Sequence, residues 1–279
     1  MASSLTATMD STLTAKEAEL KSLLLSHDSV AVAFSGGVDS TLLLDVAHEV
    51  LGSEAVAITA AMVGLPARDL EATREFCAKR GVRQLEVEFD ELALDGFANN
   101  PPDRCYLCKR ALFTALLALV EKSDISVLVE GSNLDDEQDY RPGRAALKEL
   151  GISSPLKAAG FTKADIRALS QARGLPTWDK PACACLSTRL PFGAPLTREL
   201  LKRIDEAEQC VQDAGAKQVR VRVHDSLARI EVDEESLPLF MQDDTRHCVN
   251  SALQKLGFVS VALDLQGYRM GSMNSSLSS

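Results

Sequence analysis

The sequence has few aromatic residues, with one Trp, three Tyr and nine Phe among 279 residues. Because 46% of the chain is nevertheless hydrophobic, we expect a mainly aliphatic core, enough for one large domain or two modest ones. No apolar run approaches the roughly 20 residues that a membrane-spanning helix needs. Met1–Leu13 is rich in Ser and Thr and lacks the basic start and apolar middle of a signal peptide. We therefore expect a cytoplasmic protein with no membrane partner.

Basic residues are outnumbered, because 30 Lys and Arg stand against 40 Asp and Glu, for a formal net charge of −10. A surface of that sign repels nucleic acid, which makes nucleic acid a disfavoured partner. Cysteine is present in an odd number, seven, and four of the seven fall in two close pairs, Cys105/Cys108 and Cys183/Cys185. In a cytosolic protein such pairs indicate metal, cluster or sulfur chemistry before structural disulfides.

Short β-rich runs alternate with helical patterns in the first part of the chain. The predicted strands are Ser29–Phe34, Ala55–Ala60, Arg83–Phe89 and Ile125–Glu130. This alternation predicts an α/β fold, a mainly parallel sheet with helices on both faces. The remainder predicts a smaller α+β domain, with a helix over Thr197–Ala214, two strands, a further helix running to Leu256 and a last strand over Val259–Leu265. We place the domains at 1–185 and 186–279 and expect Ser272–Ser279 to be disordered.

The first predicted strand leads directly into Ser35-Gly36-Gly37-Val38-Asp39-Ser40, and a helix follows. Two glycines allow a tight turn, the serines offer hydroxyl groups, and the helix directs its positive end at the loop. The Gly-Lys-Ser/Thr ending of the other common phosphate loop is missing. Asp39 offers a carboxylate for Mg²⁺ beside a pyrophosphate. The segment therefore predicts a phosphate-binding loop.

This loop resembles the PP-loop of the N-type ATP pyrophosphatases, which split ATP into AMP and pyrophosphate. The resemblance implies ATP and Mg²⁺ as cofactors, an adenylated intermediate and an adenine nucleotide alpha hydrolase-like fold for the first domain. A second loop at a strand end, Gly131–Asp136, offers Gly131 and Asp135 for binding nucleotide and Mg²⁺. A solvated acidic turn is the other interpretation of this loop.

Further stretches of sequence narrow the choice within that superfamily. They are Pro102–Lys109, Asp139–Gly143, Trp178–Pro181 with Cys185–Arg189, and Val219–His224. Together they resemble the LarE family, sulfur transferases that build the nickel-pincer nucleotide cofactor of lactate racemase, and the likeness runs from about Ala31 to Gly271. The resemblance implies that ATP adenylates a carboxylate of a pyridinium dicarboxylate mononucleotide. A cysteine thiolate then displaces AMP, and the thioester carries sulfur into the product.

Cys185 matches the cysteine that well-known members sacrifice, leaving dehydroalanine, and a thiolate is a competent nucleophile. Arg189, four residues later, would favour that thiolate or hold a phosphate. Arg220 and Arg222 alternate on a predicted strand and therefore face the same side, where two guanidinium groups make a bidentate phosphate site. The resemblance assigns this pair to the phosphate of the substrate nucleotide.

The resemblance also places Arg104 at the nucleotide and the acidic residues Glu208 and Glu231 near the acceptor, as candidate metal ligands. It implies a homo-oligomer, with a hexamer as one candidate.

Cys183 is an addition to the simplest sacrificial pattern. Relatives with extra cysteines are taken to hold a [4Fe–4S] cluster that supplies the sulfur, and thiolates are the usual ligands of such clusters. Candidate ligands are Cys105, Cys108, Cys183 and Cys185, although the Cys105/Cys108 pair opens a predicted helix and could be structural. Both sulfur routes stay open, and of the two we favour the sacrificial one.

Three other functions compete with this interpretation. A tRNA thiolase shares the PP-loop and catalytic cysteines, but the acidic charge and the absence of a basic aromatic platform argue against it. An ammonia-using synthetase would have no need of Cys185. A nucleotide-binding sensor without turnover would not release pyrophosphate from ATP.

Overall fold

The computed structural model describes residues 11–138, 143–181 and 184–269. Three sequence predictions lie outside these residues, namely the role of Cys183, most of the Asp139–Gly143 stretch and the disorder of Ser272–Ser279. Within the described ranges no helix has the length and apolar character needed to cross a membrane.

The chain forms two compact units, and each draws on separate parts of the sequence. The described residues of the first unit are 11–61, 68–89, 105–138 and 143–181, and those of the second unit are 62–67, 90–104 and 184–269. The second unit thus includes two short segments that follow the second and third strands of the chain.

The first unit contains a four-stranded sheet. Its strands are β1 (Val30–Ala33), β2 (Ala55–Met62), β3 (Arg83–Phe89) and β4 (Val127–Val129), in the order β3-β2-β1-β4. The central strand β1 pairs in parallel with both β2 and β4. Its first three residues are fully buried, as expected for a strand covered on both faces. The predicted parallel sheet is confirmed.

Helices cover both faces of this sheet. They are α1 (Ser11–Leu25), α2 (Val38–Leu51), α3 (Ala67–Arg80), α4 (Arg104–Lys122), α5 (Gly143–Glu149), α6 (Pro155–Ala158) and α7 (Lys163–Ala172). Val30 and Val32 pack in an apolar cluster with α1, α2 and α7, whereas Ala31 packs in a second cluster with α4. Successive strand residues point to opposite faces, so the two clusters are the two sides of the sheet. Sequence patterns do not predict α5 and α6, because such short helices show little periodicity.

The second unit contains a three-stranded sheet with two helices. Its elements are α8 (Arg198–Asp213), β5 (Val219–His224), β6 (Leu227–Val232), α9 (Asp243–Lys255) and β7 (Ser260–Leu263). β5 and β6 form an antiparallel hairpin, and β7 pairs in parallel with β6 at the edge. The prediction of a helix directly after β6 is wrong for the first part of that segment. Glu234–Met241 is a 3-10 helix, since Pro238 has no backbone N–H for an α-helical bond.

Candidate functional site

Hydrogen bonds between its two serines stabilise the turn of the PP-loop. The Ser35 N–H donates to Ser40 Oγ at 3.3 Å, and the two serine oxygens lie 3.2 Å apart. Gly36 has a φ of +68°, and a Cβ there would lie 2.9 Å from the Thr73 side chain. Both the left-handed backbone and the close approach therefore require glycine at this position.

The loop ends at the N-terminus of α2, whose N-cap is Gly37, without a side-chain hydrogen bond. The first N–H groups of a helix have no partner within the helix, and the helix dipole adds positive charge there. Such an end binds anions, phosphate above all. Asp39 stands in the same first turn. The predicted phosphate loop therefore has the local structure that its sequence indicates.

The second loop lies directly against the PP-loop. It follows β4, the neighbour of β1, and the chain leaves β1 towards β2 on the other side, which makes this the switch point of the sheet. A Cβ on Gly131 would lie 3.0 Å from the Ser40 nitrogen and 3.2 Å from the Asp39 carbonyl carbon. Glycine at position 131 thus lets the two backbones touch.

Lys163, at the start of α7, connects the two loops and was missed by sequence reasoning. Its Nζ donates to both carboxylate oxygens of Asp39, at 2.7 Å to Oδ1, and its backbone N–H donates to Asp135 at 2.7 Å. Asn133 also approaches Asp39, with its Nδ2 at 3.4 Å from Oδ1. The sequence does contain one signal for this position. Thr162 and Asp165 form a capping box, which marks the start of a helix and makes Lys163 the first residue of α7.

A second lysine reaches the PP-loop from the Trp178–Pro181 stretch, to which the sequence assigned no role. Lys180 Nζ donates to the Gly36 carbonyl at 3.0 Å and lies 3.0 Å from Asp69 Oδ1. The loop therefore has two ammonium groups beside it, in addition to the helix dipole. Each ammonium group also pairs with a carboxylate, Lys163 with Asp39 and Lys180 with Asp69.

These donors fit an ATP pyrophosphate and its Mg²⁺. Proteins usually hold that ion with one or two carboxylates and the substrate phosphates. The two loops offer the carboxylates of Asp39 and Asp135, and both Asp39 oxygens accept from Lys163 in this structure. Nowhere in the described ranges do three or more His, Cys, Asp or Glu side chains form a group able to hold a metal alone.

In the second unit, Cys185 stands at the start of a 3-10 turn, Leu186–Arg189. The cysteine is half-buried, and its Sγ lies 3.4 Å from the Ser187 hydroxyl. The backbone around it is clamped, because Arg189 Nη1 donates to the Ala184 carbonyl at 2.8 Å and to the Cys185 carbonyl at 3.1 Å. The cysteine is thus held in a defined turn.

Arg189 also forms a buried two-pronged ion pair with Glu208. The two nitrogen–oxygen distances are 2.8 and 2.9 Å, and the residues are 1% and 0% exposed. Glu208 Oε1 further accepts from the Val221 N–H at 2.9 Å. The predicted candidate metal ligand therefore ties the Cys185 turn to α8 and β5.

Arg222 makes a similar connection from β5. It donates to the Thr188 carbonyl at 2.9 Å and pairs with Glu231 at 2.9 Å, while Glu231 also contacts Arg229 at 3.1 Å. Arg220 lies opposite Glu231 in the hairpin, with its guanidinium 5.1 Å from the Tyr268 ring centre. Both predicted phosphate-binding arginines are buried, and both predicted acidic residues contact arginines.

Arg104 is buried in the second unit with an unmet donor. Its guanidinium lies 4.5 Å from the Phe192 ring centre, and its Nη1 has no hydrogen-bond partner among the described residues. A buried donor without a partner costs about 1–3 kcal/mol. An anionic group of a ligand would satisfy it, which is consistent with the predicted nucleotide role.

The cysteine pair at the start of α4 and the Cys185 turn belong to different units of the chain. Cys105 is exposed and Cys108 is half-buried, and both belong to the first unit. Cys185 belongs to the second unit, and Cys183 lies outside the described residues. The cluster ligand set stays a prediction.

The PP-loop domain of this chain, and nearly its whole length, match known proteins. A model of the PP-loop domain matches residues 9–139. An uncharacterized protein of Synechocystis sp. is 41% identical over 94% of this chain and 98% of its own length. The pyridinium-3,5-bisthiocarboxylic acid mononucleotide synthase of Lactiplantibacillus plantarum is 38% identical over 95% of this chain and 96% of its own length. An argininosuccinate synthase of Haloarcula marismortui is 26% identical over 54% of this chain.

The match to the synthase extends through the two phosphate-binding loops of the first unit and the Cys185 turn of the second. The predicted family is therefore confirmed, and the chain belongs to the LarE family of PP-loop, ATP-dependent sulfurtransferases.

Proposed function

We propose that this protein converts a carboxylate of pyridinium-3,5-biscarboxylic acid mononucleotide into a thiocarboxylate, with ATP as activator and Cys185 as sulfur donor. The observation that carries the proposal is the combination of a PP-loop with a cysteine held in its own turn, in a chain that matches the named synthase over 95% of its length. Neither feature alone would distinguish a sulfur transferase from other ATP pyrophosphatases.

The first step activates the carboxylate. A carboxylate oxygen of the substrate attacks the α-phosphorus of ATP, and the bond to pyrophosphate breaks. The N-terminus of α2 and the ammonium groups of Lys163 and Lys180 would hold the departing pyrophosphate, whose negative charge they offset. Mg²⁺, held by Asp39 with Asp135 nearby, would supply further charge neutralisation when bound.

The second step transfers sulfur. The Cys185 thiolate attacks the acyl adenylate, a carbon–sulfur bond forms, and AMP leaves with the electron pair of the broken carbon–oxygen bond. Loss of the Cys185 α-proton to a base then breaks the bond between Cβ and sulfur. The products are a thiocarboxylate and dehydroalanine at position 185. Arg104, Arg220 and Arg222 would bind the anionic groups of the substrate nucleotide.

Two finer features belong to the same proposal. A [4Fe–4S] cluster on cysteines from the set Cys105, Cys108, Cys183 and Cys185 is the second route for the sulfur, with Glu208 and Glu231 as candidate metal ligands at the acceptor. A homo-oligomer is supported by exposed apolar side chains in the second unit, among them Met241, Val259 and Leu265.

Intact-mass spectrometry tests the proposal. Purified protein is measured before and after incubation with ATP, Mg²⁺ and the dicarboxylate nucleotide, prepared both in air and without oxygen. We expect one chain to lose the mass of H₂S at Cys185 for each thiocarboxylate formed. Cys185→Ser should still release pyrophosphate but form no product, whereas Cys248→Ser, at an exposed cysteine, should behave as wild type.

Two other outcomes would redirect the proposal. Product formed at constant protein mass, only in oxygen-free, iron-containing samples, would replace the sacrificial route by the cluster route. Absence of product under every condition would contradict the proposed substrate and favour a tRNA thiolase.

A further inference from the structure

Glu91 is a fully buried carboxylate to which the proposed chemistry gives no role. It is 0% exposed, and among the described residues no Lys or Arg side chain pairs with it. Burial raises the pKa of its carboxyl group above the usual value. A carboxylate without a counter-charge is costly to bury, and here backbone N–H groups compensate for part of that cost.

The contacts of Glu91 show which segment it holds. Its Oε2 accepts from the Val63 N–H at 3.2 Å, and its Oε1 accepts from the Gly64 N–H. The Gly64 carbonyl in turn accepts from the Leu186 N–H at 2.9 Å. Leu186 directly follows Cys185, so two hydrogen bonds lead from the buried carboxylate to the cysteine turn.

Gly64 is the point where the held segment meets the sulfur atom. A Cβ at this position would lie 2.5 Å from Cys185 Sγ and 2.9 Å from Glu91 Oε1. Gly64 is not among the glycines with a positive φ, so the backbone conformation alone does not require glycine. Glycine is needed here because a side chain would occupy the position of the Cys185 sulfur, which packs directly against the Gly64 backbone.

We propose that Glu91 is a positioning residue for sulfur transfer, which holds Val63 and Gly64 so that the backbone of Gly64 forms the wall that places the Cys185 sulfur. The inference rests on the proposed function, because it concerns the step in which this sulfur attacks the acyl adenylate. The phosphate loops belong to the first unit and Glu91, Gly64 and Cys185 to the second. The wall contacts the sulfur atom, so we expect it to act on sulfur transfer and to leave adenylation of the bound nucleotide largely unchanged.

The test measures the two chemical steps separately. Pyrophosphate release reports adenylation, and thiocarboxylate formation reports sulfur transfer. In Glu91→Gln an amide NH₂ faces one of the two backbone N–H groups and that segment shifts. Because a misplacement of about 1 Å can cost about 100-fold in rate, we expect thiocarboxylate formation to fall about 100-fold while pyrophosphate release stays within about 3-fold of wild type. Glu88→Gln, at an exposed glutamate of β3, is the matched control and should change neither step.

The variant Gly64→Ala and the alkylation of Cys185 keep the test valid even if Glu91→Gln folds poorly. Gly64→Ala adds one methyl group against the sulfur and should slow thiocarboxylate formation in the same selective way. Alkylation with iodoacetamide, followed by peptide mass spectrometry, should show a rate at Cys185 changed by at least about 5-fold in both variants, with exposed Cys248 as the internal reference.

The outcomes separate this inference from the proposed function. Thiocarboxylate formation at the wild-type rate in either variant overturns the inference, and so does an equal fall in both chemical steps. An unchanged alkylation rate at Cys185 also overturns it, even if the wild type itself forms no thiocarboxylate. If the wild type forms no thiocarboxylate, the proposed substrate is contradicted. A changed alkylation rate at Cys185 in the two variants would then still support the positioning role of Glu91 and Gly64.

Discussion

The phosphate-binding loops of the first unit and the cysteine turn of the second use positive charge in different ways. The side chain of Lys163 is 38% exposed while it contacts Asp39, whereas Arg189 and Glu208 are sealed from solvent. An exposed ion pair is weak and exchanges readily, so Lys163 is available to an arriving phosphate. A buried pair is costly to break, so Arg189 is a fixed part of the fold.

This difference divides the basic residues into two groups with opposite expected effects. Removing a lysine from the first unit should cost activity and little stability. Removing Arg189 from the second should cost stability first.

Arg189→Met should lower the free energy of unfolding by about 3–5 kcal/mol, because it leaves Glu208 charged and buried without its partner. Urea denaturation followed by circular dichroism measures the change. Lys217→Met is the control, since Lys217 pairs with Glu235 on the surface and should contribute less than about 1 kcal/mol. A loss for Arg189→Met as small as that of the control would show that the buried pair is not a fixed part of the fold.

Lys163→Met should slow pyrophosphate release by about 100-fold, because it removes a cation beside the departing pyrophosphate. Its free energy of unfolding should change by less than about 1 kcal/mol, as the ion pair is partly exposed. Quenched-flow pyrophosphate assays and urea denaturation measure the two quantities. Lys79→Met, at an exposed helix position, is the control. Unchanged pyrophosphate release would remove Lys163 from the ATP site.

Gly131→Ala should destabilise the first unit by about 1–3 kcal/mol, because the new methyl group would lie 3.0 Å from the Ser40 nitrogen. The separation of the two loops should also raise the KM for ATP more than it lowers the rate of sulfur transfer from a preformed acyl adenylate. Denaturation and steady-state assays check both. A variant with wild-type stability and KM would mean that the loops need not touch.

The pH dependence of stability should carry a small contribution from Glu91. Burial raises the pKa of its carboxyl group in the folded state, so the folded state binds this proton more tightly than the unfolded chain. The resulting stabilisation is present below the unfolded pKa of about 4.5 and is lost as pH rises through the folded pKa. Wild type should therefore lose stability relative to Glu91→Gln over that window, by at most about 1.4 kcal/mol per pH unit. Parallel denaturation curves at several pH values measure the difference, and an opposite slope would contradict it.

Sequence reasoning predicted those elements whose physical causes are local. The PP-loop is a run of six neighbouring residues, and the apolar run of β1 followed by α2 places it at a strand end. The same reasoning found the second loop because it also follows a strand directly. It missed Lys163, which contacts Asp39 across more than one hundred residues of chain and belongs to no contiguous motif.

The surroundings of Cys185 show the same limit. The Cys185–Arg189 stretch points to sulfur chemistry by its resemblance to a known family. Nothing in the stretch from Met62 to Phe97 indicates that Gly64 and Glu91 contact this turn, since a lone glycine and a lone glutamate are common in any loop. Likewise, the alternation of Arg220 and Arg222 predicts a shared face but not their buried contacts.

The sequence by itself determined the order of strands and helices, the phosphate loop and the family, because hydrophobic periodicity and contiguous motifs act over short stretches of chain. Only the tertiary structure decided that Lys163 joins the two loops, that Arg189 and Glu208 form a closed pair, and that Gly64 borders the Cys185 sulfur. These contacts join residues that are distant along the chain. Their distances and burial depend on how the elements pack, and the residue types alone do not specify that packing.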